Sequence, residues 1–129
     1  MRIKKLTNRV VFTGYLDKIQ MEEYIEKSCL FAMVSISEGL PMVLLEAMSY
    51  GVPCIAYKTD SGVTDIIDND INGYVINNRN EEEYIEKINT FLEDKRIQAS
   101  MSNEAIKKSK RFTSKSIIKI WEGVINEEK

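Results

Sequence analysis

Glu38 and Glu46 are the only charged residues between Leu30 and Tyr57, and seven residues separate them. The stretch reads LFAMVSISEGLPMVLLEAMSYGVPCIAY. Carboxylates in such apolar company are expected to be paired, hydrogen-bonded or protonated. Gly39, Leu40 and Pro41 read as a loop that opens a helix, with Pro41 in its first turn. The unpaired N–H groups of a helix start, together with the positive end of its dipole, suit a phosphate or pyrophosphate. Gly39 lets such a ligand approach the backbone closely. Glu46 lies on the helix itself, among Met42, Val43, Leu44, Leu45, Ala47 and Met48. These are apolar nearly all round, so helix and carboxylate are expected to be buried. A buried carboxylate needs donors, and two adjacent sugar hydroxyls supply them. Glu38, before the helix, projects into the same crevice, which makes a nucleoside diphosphate sugar the ligand that fits. Spacing alone leaves a second reading open, in which Glu46 pairs with a distant Lys or Arg and Glu38 only flanks a helix start.

The elements that must position these residues alternate along the chain. RVVFT (9–13) is a β-branched run ending at Gly14 and predicts a strand. Residues 17–28 carry Ile19, Tyr24 and Ile25 among charges and predict a surface helix. Residues 30–36 form a continuous apolar run, the pattern of a buried parallel strand. A helix to about Tyr50 with Gly51 as its stop follows, then a buried strand over Pro53–Tyr57. Thr59–Gly62 is a turn, a short helix covers 64–68, and Asn69-Asp70 and Asn72-Gly73 read as turns before a last strand, Tyr74–Ile76. Beyond it the chain is charged and helical. Tyr84, Ile85, Ile88, Phe91 and Leu92 have helical spacing behind Asn80 and three glutamates. Ile117, Ile118, Trp121, Val124 and Ile125 repeat that spacing, with Thr113 or Ser114 as cap. Strand, helix, strand in succession means βαβ units, hence an α/β fold, a Rossmann-like parallel sheet flanked by helices. The organisation is a single domain over 1–129, with C-terminal helices over 80–127. Ligands bind such sheets beyond the strands' C-terminal ends, where residues 14–16, 37–41 and 58–62 are expected to converge.

Composition narrows the functions. A chain of 129 residues holds one domain with a real core. The net charge of −2 argues against nucleic-acid binding. No apolar run approaches the length of a membrane span, and MRIKKLTNRV lacks the apolar centre of a signal peptide. A cytoplasmic location is expected. The two cysteines, Cys29 and Cys54, read as small buried hydrophobes. Without any histidine the chain by itself holds no Ser-His-Asp triad, Cys-His pair or His-ligated metal.

SEGLPMVLLEAMSYGVPCIA resembles the signature of retaining, nucleotide-sugar-dependent glycosyltransferases, the glycogen-synthase-like group with the two-domain GT-B fold. The matching residues are Glu38, Gly39, Pro41, Glu46, Ala47, Met48, Gly51 and Pro53. VVFTGYL resembles the group's Val-x-Phe-x-Gly strand. SGVTDIIDNDINGYVI resembles its Gly-x-x-Glu-x-Ile and Asn-Gly-x-x-Val segments, with Asp65 where Glu is usual. The resemblance spans nearly the whole chain. It implies that Glu38, the catalytic-site residue, contacts hydroxyls of the transferred sugar. Gly39 and Leu40 would offer N–H groups to sugar and diphosphate, and Pro41 belongs to the same loop. Glu46 would hold the ribose, and Tyr15 and Leu16 would lie near the nucleobase. It also implies no metal or other cofactor. Asp68-x-Asp70, superficially a metal motif, reads as turn chemistry.

Measured against that group, the chain lacks the N-terminal acceptor domain and the first two strands of the donor domain. The Arg and Lys that neutralise the leaving diphosphate are missing with them. The implied function is the donor-binding part of a hexosyltransferase acting on a glycan or lipid-linked acceptor in polysaccharide biosynthesis. The full-length enzyme would work in the cytoplasm, at the inner membrane surface, and the isolated chain is expected to be inactive. The alternative is a truncated or degenerate module that folds or dimerises without turnover. In the group's strand order the 9–13 strand is cut off from the others, so re-pairing or association into a homo-oligomer is expected. Ile117, Ile120, Trp121 and Val124 would form a stripe against the missing domain.

Overall fold

A computed structural model of the chain describes residues 8–36, 41–112, 122, 123 and 125. Three short strands, β1 (Phe31–Met33), β2 (Cys54–Tyr57) and β3 (Gly73–Ile76), form a parallel sheet in that order. Phe31 faces Cys54 across the first ladder, and Cys54 faces Gly73 across the second. Parallel neighbours need crossovers, and helices α2 (Met42–Ser49) and α3 (Val63–Ile66) lie within them. Helix α1 (Lys18–Glu26) precedes the sheet, and α4 (Glu81–Glu93) and α5 (Lys95–Lys110) follow it. The expected α/β sheet with flanking helices is what forms.

Strand β2 is buried at every position, and its side chains alternate between two cores. Cys54 and Ala56 join Leu44, Leu45, Ala47 and Met48 of α2 on one face. Ile55 and Tyr57 join Tyr74, Ile76, Tyr84 and Phe91 on the other. Helix α5 contributes Ala105 to the first core and Met101 to the second, so it ties the two layers together.

Local chemistry sets the helix boundaries. The Asp17 carboxylate accepts from Gln20 N at 2.8 Å, and the Gln20 amide accepts from Asp17 N at 3.1 Å, a reciprocal capping box on α1. Asn80 caps α4 by accepting from Glu83 N at 3.1 Å. Asp94 caps α5 by accepting from Arg96 N at 2.9 Å. Gly51 ends α2 at φ +74, and a Cβ there would come within 2.8 Å of the Ser102 hydroxyl on α5. Gly73 is required by close approach, since a Cβ on it would collide with the Cys54 carbonyl of the neighbouring strand.

The turn before β3 is built from polar side chains. Buried Asn72 accepts from Asp68 N at 2.9 Å and donates to the Ile66 carbonyl at 3.3 Å. Lys108 of α5 holds both oxygens of Asp68 at 3.2 Å, and Lys87 lies 3.6 Å from Asp70. The Asp68-x-Asp70 pair is therefore turn chemistry, with each carboxylate facing a lysine.

Several expectations need correction. Residues 9–13 form no strand, and Val11 and Phe12 are 75% and 69% exposed. An apolar run becomes a strand only beside a partner, and among the described residues β1 pairs with β2 and β2 with β3, neither with residues 9–13. The 30–36 strand shrinks to Phe31–Met33 because the carbonyls of Val34 and Ser35 bond to the Arg79 side chain instead of a ladder. Cys29 is exposed rather than buried, since it falls in the turn between α1 and β1; Cys54 is buried as expected. The sequence pattern did not separate α5 from its neighbours. Its apolar signal is Ile97, Ala99, Met101, Ala105 and Ile106, scattered among polar and charged residues. The cap at Thr113 or Ser114 and the stripe at Ile117, Ile120, Trp121 and Val124 lie outside the described residues.

Candidate functional site

Because the strands are parallel, their C-terminal ends share one edge, and the chain leaves it at Val34, Lys58 and Asn77. That edge is where an α/β sheet takes its ligands. The loop residues Glu38, Gly39 and Leu40 lie outside the described residues, between Ile36 and Pro41. Pro41 is buried and occupies the N-cap position of α2, one step earlier than the expected first turn. Its carbonyl accepts from Leu44 N at 3.0 Å, the first helical hydrogen bond.

Glu46 is exposed, which corrects the expectation of a buried carboxylate on a buried helix. Helix α2 is one-sided. Leu44, Leu45, Ala47 and Met48 pack inward, while Met42, Glu46, Ser49 and Tyr50 share the outer stripe at helical spacing. Glu46 therefore keeps its hydration and needs no buried cation, and the reading of a buried ion pair falls away. Glu46, with Glu22 and Glu26 of α1, lies close enough to Tyr50 to influence its phenol. Partial desolvation, followed by the charges of Glu22, Glu26 and Glu46, raises the Tyr50 phenol above its ordinary value.

Tyr15 stands almost wholly in solvent, 96% exposed, and Leu16 is half-buried beside it. Gly14 ahead of them adopts φ +65. With no strand before Gly14, the rule of strand C-terminal ends does not by itself bring residues 14–16 to the site edge.

The side chain that sequence reasoning missed at this edge is Arg79. The chain leaves β3 through a short 3-10 turn, Asn77–Arg79, in which Asn78 and Arg79 are left-handed at φ 55 and 49. This turns Arg79 back across the sheet. Its guanidinium lies 4.3 Å from the centre of the Tyr57 ring and donates to the Val34 carbonyl at 3.0 Å and the Ser35 carbonyl at 3.2 Å. Tyr57 in turn packs on Tyr84, ring centres 4.8 Å apart. The Tyr84 hydroxyl donates toward the carbonyls of Met33, at 3.1 Å, and Ile55, at 3.2 Å. Burial, with Tyr57 adding to it and the Met33 hydrogen bond opposing it, pushes that phenol up to about 12, so it stays a donor. Lys58, Thr59, Asp60, Asn77, Asn78 and Arg79 line an open cleft of about 660 Å³ here. Among the described residues, no group of His, Cys, Asp or Glu is arranged to hold a metal ion, and no helix is long and apolar enough to cross a membrane.

Residues 1–108 match the family described as Glycosyl transferases group 1. The chain belongs to this family. It is 32% identical over 107 residues to the amylovoran biosynthesis glycosyltransferase AmsD of Erwinia amylovora, a match covering 83% of this chain and 30% of AmsD. Its fold is similar to that of TarM from S. aureus, solved with fondaparinux, alpha-GlcNAc-glycerol and UDP. The TM-score is 0.81 at 25% identity, over 94% of this chain and 24% of TarM. Anabaena HepE in complex with UDP is similar at a TM-score of 0.78 and 27% identity, over 95% of this chain and 33% of HepE. The chain spans a third or less of each of these glycosyltransferases. The three-stranded sheet with its helices is thus a group 1 glycosyltransferase domain of GT-B type.

Proposed function

We propose that this group 1 glycosyltransferase domain binds the nucleoside diphosphate sugar of a retaining hexosyltransferase whose acceptor is a glycan or lipid-linked sugar. Glu46 takes the ribose hydroxyls, Glu38 the hydroxyls of the transferred sugar, and the Gly39 and Leu40 N–H groups ahead of Pro41 the diphosphate. Tyr15 and Leu16 lie toward the base. No metal is invoked, because protein cations outside this chain, with the backbone N–H groups of the loop, meet the charge of the diphosphate. The observation that carries this reading is Glu46. It is an exposed carboxylate on the open stripe of the helix that starts from the sheet's C-terminal edge. An accessible carboxylate there can accept from two vicinal hydroxyls, a task a buried ion pair could not perform. The likeness to HepE, whose structure holds UDP, supports the same reading. In this reading the 129-residue chain by itself turns over no donor, because the cations that stabilise the departing diphosphate come from elsewhere.

Titration with UDP and with GDP tests it. One of the two should bind, and Glu46→Ala should weaken that binding by about 1.5–3 kcal/mol per charged hydrogen bond lost. Equal affinity of the two proteins would remove Glu46 from the ribose, and glycoside formation by the isolated chain would overturn its inactivity.

A further inference from the structure

The open cleft at the sheet's C-terminal edge is built from the two loops that follow β2 and β3. Both loops are tied down. Lys58 N donates to the Ile76 carbonyl at 2.8 Å, and the hydroxyl of buried Thr59 donates to the Ser61 carbonyl at 2.6 Å. Asn80 N donates to the Asn77 carbonyl at 3.2 Å, and Arg79 is held by the Val34 and Ser35 carbonyls and the Tyr57 ring. Asn78 and Arg79 are left-handed in succession. Such backbone at non-glycine residues gathers at ligand-binding sites. The cleft is therefore preformed, as small-molecule sites usually are. Tyr57 belongs to the core on the face of β2 opposite to the one that packs on α2. Arg79, seated on its ring, lies on the side of the sheet away from the helix that carries Glu46.

Donors dominate the lining. Two nitrogens of the Arg79 guanidinium each give an N–H to a carbonyl, which leaves further N–H groups on the same fork. Among the described residues, no hydrogen bond or ion pair engages the side chains of Lys58, Asp60, Asn77 and Asn78. Two cations and two amides suit the oxygens of a phosphate. The Asp60 carboxylate only accepts, so it repels a bare phosphate and suits the hydroxyls of a sugar attached to one. We propose that this cleft binds a glycosyl phosphate, with the phosphate on Lys58 and Arg79 and the sugar hydroxyls on Asp60 and the asparagine amides. Under the donor reading above, on which only this last step rests, such a ligand is an acceptor that carries phosphate.

Glucose 1-phosphate, inorganic phosphate and UDP are titrated separately into isotope-labelled wild type, Lys58→Gln, Asp60→Asn and Lys95→Gln, with amide shifts as the readout. Glucose 1-phosphate should move the amides of 58–60 and 77–79 saturably, and saturating UDP should not displace it. Lys58→Gln should bind it about fivefold more weakly, the upper end for an exposed ion pair. Lys58 is exposed and its backbone bond survives the change, so the variant keeps the fold. Asp60→Asn should bind glucose 1-phosphate more weakly and inorganic phosphate no less tightly. Lys95→Gln removes an exposed cation outside the cleft and should match wild type. Absence of saturable shifts at 58–60 and 77–79, or equal affinity in Lys58→Gln, would overturn the inference. Inorganic phosphate bound by wild type as tightly as glucose 1-phosphate would mean an adventitious ion only. Displacement by UDP would give the cleft to the donor nucleotide and overturn a second site. UDP binding without any response to glucose 1-phosphate removes the cleft and leaves the donor reading standing; the converse removes the donor reading and leaves the cleft.

Discussion

RVVFT at 9–13 and PCIAY at 53–57 are similar as sequence. Each is a short apolar run, rich in β-formers and followed by a turn. In the fold they have opposite fates. The second becomes the central strand β2, buried at every position and paired on both sides. The first pairs with nothing in the sheet and leaves Val11 and Phe12 in solvent. Pattern supplies the tendency to extend, and a partner at the right distance decides whether a strand exists. The difference between the two regions is therefore one of neighbours, and it should appear as a difference in how much each region contributes to stability.

The largest effect should come where β2 meets its neighbour most closely. Gly73→Ala drives a Cβ into the Cys54 carbonyl, which is main chain and cannot rotate away. Relief requires β3 to move off β2, separating the ladder and the cores on both faces. A loss of about 3 kcal/mol is expected, seen as a melting temperature lower by roughly 10 °C. A Gly73→Ala protein as stable as wild type would mean that the β2–β3 pairing is not the stable centre of the molecule.

Much of this centre was legible in advance. Asn80 before three glutamates, Gly51 after an apolar helix and two buried strands flanked by turns each carry their structural reason within a few residues. The errors concern interactions across the chain. MVLLEAMS looks apolar all round, and its inward side was settled by α5, whose few apolar residues among charges hid it. The pattern alone therefore hides the outer stripe on which Glu46 sits. Arg79 was invisible because its partners are backbone carbonyls 44 and 45 residues away, and a carbonyl has no signature in sequence. The apolar neighbours of Cys29 suggest burial, whereas the turn between α1 and β1 leaves it exposed.

A smaller effect separates the regions by pH. Burial pushes the Cys54 thiol from 9.0 up to about 12, and mainly burial pushes the Tyr84 phenol from 10.0 to about 12. Both belong to the β2 side of the comparison. Above pH 9 the unfolded chain releases protons that the folded chain still holds, so stability falls as pH rises. It is fully present below the unfolded values and lost progressively toward pH 12. Each group contributes a slope of up to about 1.4 kcal/mol per pH unit. Urea midpoints between pH 8 and 11 should decline, and Cys54→Ala should flatten the decline while lowering stability at pH 8. A decline of the same steepness in Cys54→Ala would assign the loss elsewhere.

The smallest effect tests the other side of the comparison. Val11→Ser and Phe12→Ser change side chains that are mostly in solvent and belong to neither core. Each should alter stability by no more than about 0.5 kcal/mol in either direction, as surface substitutions do. The same changes at Ile55 or Ile76 would remove fully buried contacts. The informative measurement is denaturant unfolding of the double variant at low and high protein concentration. Near-zero change at both concentrations establishes 9–13 as a strand pattern without a partner. A loss of more than 1 kcal/mol that appears only at high concentration would mean that a second copy supplies the partner. In that case the two runs would differ in where their neighbours come from, and the contrast between β2 and residues 9–13 would hold only for the chain in isolation.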